Sequence, residues 1–257
     1  MIAVPATRRR KLQSGARSGV VDSHVGGMAP SPERRRCSVT DAQLDLIGLA
    51  LARGALRFGR FTLKSGRESP YFFNAGLFSD GEAASILGRC YAAALLQSGI
   101  AFDMLFGPAY KGIPLVTATA IALVERHERN APYAFNRKEA KEHGEGGSIV
   151  GAALAGRVVI VDDVVSAGTA KRESIEIIRA AGATPVAILL ALDREERGLS
   201  TRSAVQELEA EYGIRCVSIL TLASLIEALT SHGTGRIAVS EEQVTALRAY
   251  QERYGVR

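Results

Sequence analysis

The sequence predicts an α/β fold in which a mostly parallel central β-sheet is flanked by helices. Short apolar runs that fit buried strands alternate along the chain with segments of helical periodicity. The clearest run, residues 158–161, consists of four β-branched residues, which is typical of a strand covered on both faces. Polar segments follow several of these runs, and in a parallel sheet such segments meet at one edge and form a ligand site.

Each predicted element follows from the spacing of its apolar residues and from the residues that can begin or end it. Thr40 or Ser38 can cap the first helix, and Gly99 and Gly182 can end later ones. Residues 56–63 predict two short strands that turn at Gly59. The predicted helices cover residues 41–54, 82–98, 113–126, 170–181, 204–212, 222–229 and 241–254, and the other predicted strands cover 69–74, 102–106, 132–136, 158–161, 185–192 and 216–220.

The basic character of the chain belongs to its N-terminal tail. Residues 1–37 carry eight basic and two acidic side chains, a net charge of +6, so the remainder carries −1 of the total of +5. The tail is rich in Arg, Ser, Gly and Pro, which predicts disorder over residues 1–38. A transit peptide and an over-called start site explain this composition equally well, and a basic tail that touches nucleic acid is a further, weaker alternative. The near-neutral remainder argues against a nucleic-acid partner.

Two features that the sequence lacks argue against particular classes of protein. No apolar run approaches the ~20 residues that a membrane helix needs, which argues against a membrane partner. The three cysteines, Cys37, Cys90 and Cys216, are far apart and show no metal-site spacing. We therefore expect reduced thiols in a cytoplasmic protein.

An acidic pair, Asp162 and Asp163, directly follows the run at 158–161, and a small polar loop and a helix come next. The loop and the first helical turn offer backbone N–H groups and the positive end of a dipole, which suit a phosphate. Because the carboxylates would repel that phosphate, we expect them to bind sugar hydroxyls or a metal near them. The segment predicts a ligand with a sugar diol and a terminal phosphate. An ordinary strand–turn–helix with a chance acidic pair is the alternative.

A second strand–loop–helix unit carries the loop Gly107-Pro108-Ala109-Tyr110-Lys111-Gly112. A lysine beside exposed N–H groups at a helix start favours a diphosphate site. A solvated loop lysine would be the ordinary interpretation, but two such loops on successive strand ends make it the weaker one.

Residues 137–147 form a strongly charged segment with glycines at its far end. We expect a mobile loop that closes over a polyanion and excludes water from a reactive sugar cation. Arg137, Lys138 and Lys141 can stabilise charge on departing diphosphate, and His143 can bind it or assist proton movement.

Two features suit a flat, anionic substrate. Phe72 and Phe73 would point to opposite faces of a strand. They form either a platform for a heteroaromatic ring or a core residue with a partner under a loop. Arg194 follows a buried strand, where it forms either a surface ion pair or a bidentate contact with a substrate carboxylate.

Together these motifs resemble those of the orotate phosphoribosyltransferases, within the type I phosphoribosyltransferase family, from about Val39 to the C-terminus. The resemblance is closest over residues 61–76, Phe-Thr-Leu-Lys-Ser-Gly-Arg-Glu-Ser-Pro-Tyr-Phe-Phe-Asn-Ala-Gly. Ser166 departs slightly, since many related motifs carry threonine there.

The resemblance implies a catalytic domain over residues 39–257, with a small hood from about 39–80. It implies transfer of the phosphoribosyl group of phosphoribosyl diphosphate (PRPP) to orotate, which gives orotidine 5′-monophosphate and diphosphate in pyrimidine biosynthesis. Mg²⁺ would be held mainly by PRPP and water, with Asp162 and Asp163 nearby. The loop at 137–147 would reach the neighbouring subunit's site in a homodimer, and the peptide bond Ala109–Tyr110 would be cis.

The resemblance also assigns roles to individual residues. It gives PRPP contacts to Lys64, Tyr110, Lys111, Arg137, Lys138, Lys141, His143, Asp162, Asp163, Val164, Val165, Ser166, Ala167, Gly168, Thr169 and Ala170. It gives orotate contacts to Phe72, Phe73, Ser166 and Arg194. Lys138, Lys141, His143 and Asp163 are the candidate catalytic residues.

Two other functions stay open at this point. A phosphoribosyltransferase for a purine or another base would need no partner for a carboxylate, so Arg194 argues against it. A non-catalytic PRPP-sensing regulator would not need the charged loop, and it would need a nucleic-acid face that the near-neutral domain does not offer.

Overall fold

The computed structural model describes residues 39–256 apart from residues 64, 142–146, 166–167, 199 and 233–238, and apart from the side chains of residues 140, 141, 147 and 232. The predicted N-terminal extension, residues 1–38, lies outside the described residues, as do Lys64, His143, Ser166 and Ala167.

The described chain alternates strands and helices, as the sequence predicts. The helices are α1 Asp41–Ala52, α2 Gly81–Gln97, α3 Gly112–His127, α4 Thr169–Ala180, α5 Ala204–Tyr212, α6 Leu222–His232 and α7 Glu241–Tyr254. The strands are β1 Leu56–Thr62, β2 Glu68–Phe73, β3 Met104–Gly107, β4 Tyr133–Lys141, β5 Gly147–Gly151, β6 Arg157–Val164, β7 Thr184–Asp193 and β8 Arg215–Thr221. Among the described residues, every helix falls short of the length and apolarity needed to cross a bilayer.

Six strands form the central sheet in the order β5-β4-β3-β6-β7-β8. All neighbours pair in parallel except β4 and β5, so the predicted mostly parallel sheet is confirmed. After β3 the chain moves outward to β4 and β5, and then it returns to β6 on the other side of β3. The direction of winding therefore changes between β3 and β6, and in open α/β sheets ligands bind at the carboxyl ends beside such a point.

Helices cover both faces of this sheet. Val159 and Val161 of β6 pack on one face with α1, α2, α3, α6 and α7. Val158 and Ile160 pack on the opposite face with α4 and α5. This alternation confirms that the β-branched run is a strand buried on both sides, because successive side chains of a strand point to opposite faces.

The hood is a two-stranded antiparallel hairpin of β1 and β2. The predicted turn at Gly59 is wrong, since Gly59 lies within β1 and the chain reverses between Thr62 and Glu68. Gly59 has a φ of +150°, and the strand register shifts between Phe58 and Phe61. The glycine therefore accommodates an irregularity in one continuous strand rather than a reversal.

Part of the predicted mobile loop is β-structure. The strand expected to end at residue 136 continues as β4 to Lys141 and pairs with β5, and the register shifts between Asn136 and Lys141. The charge of this segment hid the strand, because apolar periodicity cannot identify an edge hairpin with exposed polar side chains. Residues 142–146 lie outside the described part of the chain.

Candidate active site

The two carboxylates at the end of β6 are buried, and each is paired with a different lysine. Asp163 Oδ2 lies 2.7 Å from Lys111 Nζ at the start of α3, and Asp162 Oδ2 lies 2.5 Å from Lys171 Nζ in α4. The two aspartates turn to opposite faces of the sheet, as neighbouring residues of a strand must. Backbone N–H groups of Asp163 and Val164 donate to the remaining carboxylate oxygens. Both carboxylates are thereby held in fixed orientations.

The Lys111–Asp163 contact joins the loops on either side of the point where the winding changes. Phe106 of β3 is level with Ile160 of β6, so the loop after β3 begins beside the acidic pair. A Cβ atom on Gly112 would lie 2.9 Å from the carbonyl oxygen of Val161, so only glycine permits this approach. The peptide bond Ala109–Tyr110 is cis, which confirms the prediction.

The predicted phosphate loop is described only in part. Gly168 precedes α4 with a φ of +75°, and as a glycine it has no side chain to cap the helix. Thr169 and Ala170 in the first turn are exposed. Exposed N–H groups at the positive end of a helix dipole can bind an anion.

Cations on β4 lie against the loop that follows β3. Asn136 Oδ1 accepts a 2.8 Å hydrogen bond from the backbone N–H of Ala109, which ties β4 to that loop. The exposed Lys138 has its Nζ 5.8 Å from the centre of the Tyr110 ring. Arg137 Nη1 is buried, and no residue in the described part of the chain forms a hydrogen bond with it. A buried cationic donor of this kind is costly unless a ligand satisfies it, so it suits an anion.

Arg194 follows β7 and contacts the hood. Its Nη2 donates to Ser69 Oγ at 3.0 Å, its guanidinium lies 4.2 Å from the centre of the Tyr71 ring, and its Nε lies 2.5 Å from Glu196 Oε1. Among the described residues, Arg194 contacts neither Lys111 nor Asp163. Arg194 and the acidic pair nevertheless lie at the same edge of the sheet, because β7 and β6 end side by side, with Leu192 level with Val164.

Phe72 and Phe73 turn to opposite sides of the hood hairpin, as expected. Phe72 stacks on Phe61 with ring centres 5.5 Å apart. Phe73 packs against the core and Phe78 on the side that also carries the buried Ser69 and Tyr71. Phe73 is therefore the member of the pair on the side where Arg194 binds the hood.

The Tyr71 hydroxyl is buried and forms no hydrogen bond with any described residue, and the Tyr71 ring lies against Arg194. Burial is the main cause that raises the pKa of Tyr71 well above its ordinary value, so the group stays a neutral donor. A buried hydroxyl without a partner is unusual in a folded protein and suits a site that a ligand completes.

Lys171 was missed by the sequence reasoning, although a signal was present. The buried residues of α4 are Lys171, Ser174, Ile175 and Ile178, which share one helical face. A lysine on the apolar face of a helix indicates a buried ion pair. Burial raises the pKa of Asp162, and the Lys171 ammonium opposes that effect.

Glu196 and Tyr250 were also missed. They lie 54 residues apart in sequence, and Glu196 Oε1 accepts a 2.9 Å hydrogen bond from the Tyr250 hydroxyl. No spacing rule joins a strand-end loop to the C-terminal helix, so no sequence pattern indicates this pair.

Comparisons with known proteins agree with this geometry. The family model for the phosphoribosyl transferase domain matches residues 78–214. Orotate phosphoribosyltransferases from Thioalkalivibrio sulfidiphilus and Edwardsiella ictaluri are 60% and 58% identical to the chain over 214 residues, which is 83% of this chain and 98% of each relative. The crystal structure of the orotate phosphoribosyltransferase of Francisella tularensis is 37% identical with a TM-score of 0.72, covering 81% of this chain and 98% of that one. The chain therefore belongs to the orotate phosphoribosyltransferase family.

Proposed function

We propose that this chain transfers the phosphoribosyl group of PRPP to orotate and releases diphosphate, a step of pyrimidine biosynthesis. The observation that carries the proposal is the 2.7 Å contact between Lys111 and Asp163. It joins a cation suited to diphosphate and a carboxylate suited to ribose hydroxyls at the point where the sheet changes its winding.

The sugar end of PRPP is assigned to β6 and α4. Asp163 accepts hydrogen bonds from the ribose hydroxyls, and residues 164–170 cradle the 5′-phosphate. This assignment is supported by the fixed carboxylates and by the exposed first turn of α4. Asp162, whose carboxylate is held by the buried Lys171, is assigned to the ribose from sequence alone.

The diphosphate is assigned to the cations around the loop after β3. Tyr110, Lys111, Arg137 and Lys138 are within that group, and Lys64, Lys141 and His143 are assigned to it from sequence alone. The Lys111 side chain is 54% exposed, so it can leave Asp163 for the diphosphate when PRPP binds. As diphosphate leaves, positive charge develops on the ribose C1′ and ring oxygen, and orotate N1 attacks the opposite face. Catalysis in this account is positioning and electrostatic stabilisation of the leaving group.

Orotate is assigned to the space between the hood and Arg194. Its carboxylate pairs with the guanidinium, and its ring lies against Phe73. Phe72, which turns to the other side of the hairpin, and Ser166 are assigned to orotate from sequence alone. The buried Tyr71 hydroxyl offers one more donor there. A purine would leave the guanidinium without its anion, which makes orotate the favoured base.

Mg²⁺ is proposed as the cofactor, held mainly by PRPP and water. Within the described ranges no group of three His, Cys, Asp or Glu side chains converges on a possible metal site, and the carboxylates of Asp162 and Asp163 are already paired with lysines. These residues fit a cation that takes most of its ligands from a substrate, as Mg²⁺ does with phosphates. When bound, the ion would supply charge neutralisation on the diphosphate.

The active unit is proposed to be a homodimer in the cytoplasm, with the segment 137–147 shared between subunits. Ile121 and Val124 of α3 are 52% and 47% exposed, and such a patch on a helix beside the site suits a partner subunit. Cys90 and Cys216 are free thiols, which suits a reducing compartment.

The direct test is the loss of orotate absorbance in the presence of PRPP and Mg²⁺, compared with adenine, guanine and hypoxanthine. We expect turnover with orotate and none with the three purine bases. Turnover of a purine base with none of orotate would contradict the proposal. The Arg194→Ala variant should lose about 1.5–3 kcal/mol of transition-state stabilisation with orotate, as expected for a charged hydrogen bond.

The Lys141→Ala variant separates an enzyme from a PRPP-sensing regulator. An enzyme should lose turnover and keep PRPP binding, because the lysine acts on the departing diphosphate. A wild-type protein that binds PRPP without consuming orotate would favour the regulator.

A further inference from the structure

Arg194 belongs to a cluster of polar side chains at the end of β7. Glu196 Oε1 accepts both the Arg194 Nε bond at 2.5 Å and the Tyr250 hydroxyl bond at 2.9 Å. Arg67 of the hood approaches Glu196 Oε2 at 3.8 Å. The side chains of Arg194 and Glu196 are only 18% and 15% exposed. One carboxylate therefore links the strand-end arginine, the C-terminal helix and the hood.

These contacts fix the guanidinium in three ways. Glu196 holds Nε, Ser69 holds Nη2, and the Tyr71 ring lies 4.2 Å from the guanidinium carbon. Neither hydrogen bond uses Nη1. A planar group held by one edge and one face presents its remaining donors in a single direction, which suits bidentate recognition of a planar carboxylate.

Tyr250 has the geometry of a support for this arrangement. Its ring meets Tyr71 edge-on at 6.1 Å, and its hydroxyl donates to Glu196 Oε1, the oxygen that also accepts from Arg194 Nε. The Tyr250 side chain thus bridges the ring under Arg194 and the acid beside it. Helix α7 thereby reaches the residues around Arg194.

We propose that Glu196 and Tyr250 are positioning residues that align Arg194 for the carboxylate of orotate. This inference rests on the proposed function, since it concerns the same substrate. Glu196 binds the Nε edge, and the substrate carboxylate binds the donors that remain. Helix α7 is therefore a part of the base-binding site, and changes in it alter orotate recognition without altering PRPP recognition.

Steady-state kinetics and calorimetric titration with orotate test this inference on the full chain. Glu196→Ala should raise the KM for orotate roughly 10- to 100-fold, because misplacing a binding group by about 1 Å can cost about 100-fold. The KM for PRPP should stay within about 2-fold, because the described side-chain partners of Glu196 are Arg194, Tyr250 and Arg67, which are not assigned to PRPP. Glu196→Gln keeps an acceptor for Nε and should show a smaller rise.

Tyr250→Phe removes only the hydroxyl, and Tyr254→Phe is its matched control on the same helix. We expect a raised KM for orotate in the first variant and a wild-type value in the second, with similar melting temperatures. This pair decides the question if Glu196→Ala fails to fold. Equal orotate KM values for wild type, Tyr250→Phe and Glu196→Gln would overturn the inference, as would parallel increases in both KM values. A wild-type protein with no orotate turnover would instead overturn the proposed function.

Discussion

The two lysines at the acidic pair differ in exposure, and that difference assigns them different roles. The Lys111 side chain is 54% exposed and that of Lys171 is 6% exposed. Lys171 also donates to the carbonyl oxygen of Val164 at 2.6 Å. The Lys111–Asp163 pair can open toward a ligand, while the Lys171–Asp162 pair fixes the start of the phosphate loop. Burial of an ion pair makes the loss of one partner costly, because the other charge stays desolvated.

Substitution of each lysine by methionine should separate these roles. Lys171→Met should lower the free energy of unfolding by about 3–5 kcal/mol, because Asp162 is left buried and unpaired. Lys111→Met should lower it by a smaller amount, about 1–3 kcal/mol, because Asp163 is buried but its partner is half exposed, and it should raise the KM for PRPP. Urea unfolding and steady-state kinetics measure the two effects. Equal stability losses in both variants would contradict the assignment.

Residues of the site could be predicted from the sequence where they belong to a local motif. Asp162, Asp163 and Lys111 each stand next to a strand end, so their convergence follows from parallel pairing. Lys171 could have been found from the buried face of α4. Glu196 and Tyr250 could not, because their contact depends on how α7 packs on the hood.

At the scale of elements, close helix packing depends on single glycines. A Cβ atom on Gly88 of α2 would clash with the carbonyl oxygen of Ala118 in α3. The two helices thus approach closely because this position carries no side chain. Gly48 of α1, in contrast, has open space where a Cβ atom would be added.

Alanine at these two positions should have opposite effects. Gly88→Ala should destabilise the protein by about 1–3 kcal/mol through overpacking. Gly48→Ala should stabilise it by about 0.5–1 kcal/mol, because alanine favours a helix. Thermal or urea unfolding of both variants checks this prediction. A stabilised Gly88→Ala variant would show that α2 and α3 do not pack as described.

Elements with strong apolar periodicity were predicted well, and polar ones were not. Residues 158–161 lie within β6, and the predicted helix at 204–212 has the bounds of α5. The β4–β5 hairpin was missed beyond residue 136 because its charged side chains give no apolar signal. The turn of the hood was misplaced at Gly59, since a glycine fits both a reversal and an irregular strand.

At the scale of the whole molecule, the proposed shared loop makes each active site a product of two subunits. A mixture of two inactive variants tests this directly. Lys141→Ala disables the loop, and Asp163→Asn disables the site that the loop reaches. Mixed dimers carry both defects in one site and none in the other, so random mixing should restore about one quarter of wild-type activity. The absence of any recovery after subunit exchange would show that each loop serves its own subunit.

Sequence patterns could not predict the order of the strands in the sheet. Periodicity identifies strands, but it does not say that β6 returns beside β3 while β4 and β5 lie outward. That order brings Asp163 to Lys111 and sets β7, with Arg194, next along the edge. We propose that these strand ends bind the two halves of one ligand.

Binding of orotidine 5′-monophosphate measured by calorimetry tests that claim most directly, because this product spans both halves. Asp163→Asn and Arg194→Ala should each weaken its binding by about 1.5–3 kcal/mol, or roughly 10- to 150-fold. Orotate alone should respond only to Arg194→Ala, and ribose 5-phosphate only to Asp163→Asn. Wild-type affinity for the nucleotide in either variant would contradict a single site built from these strand ends.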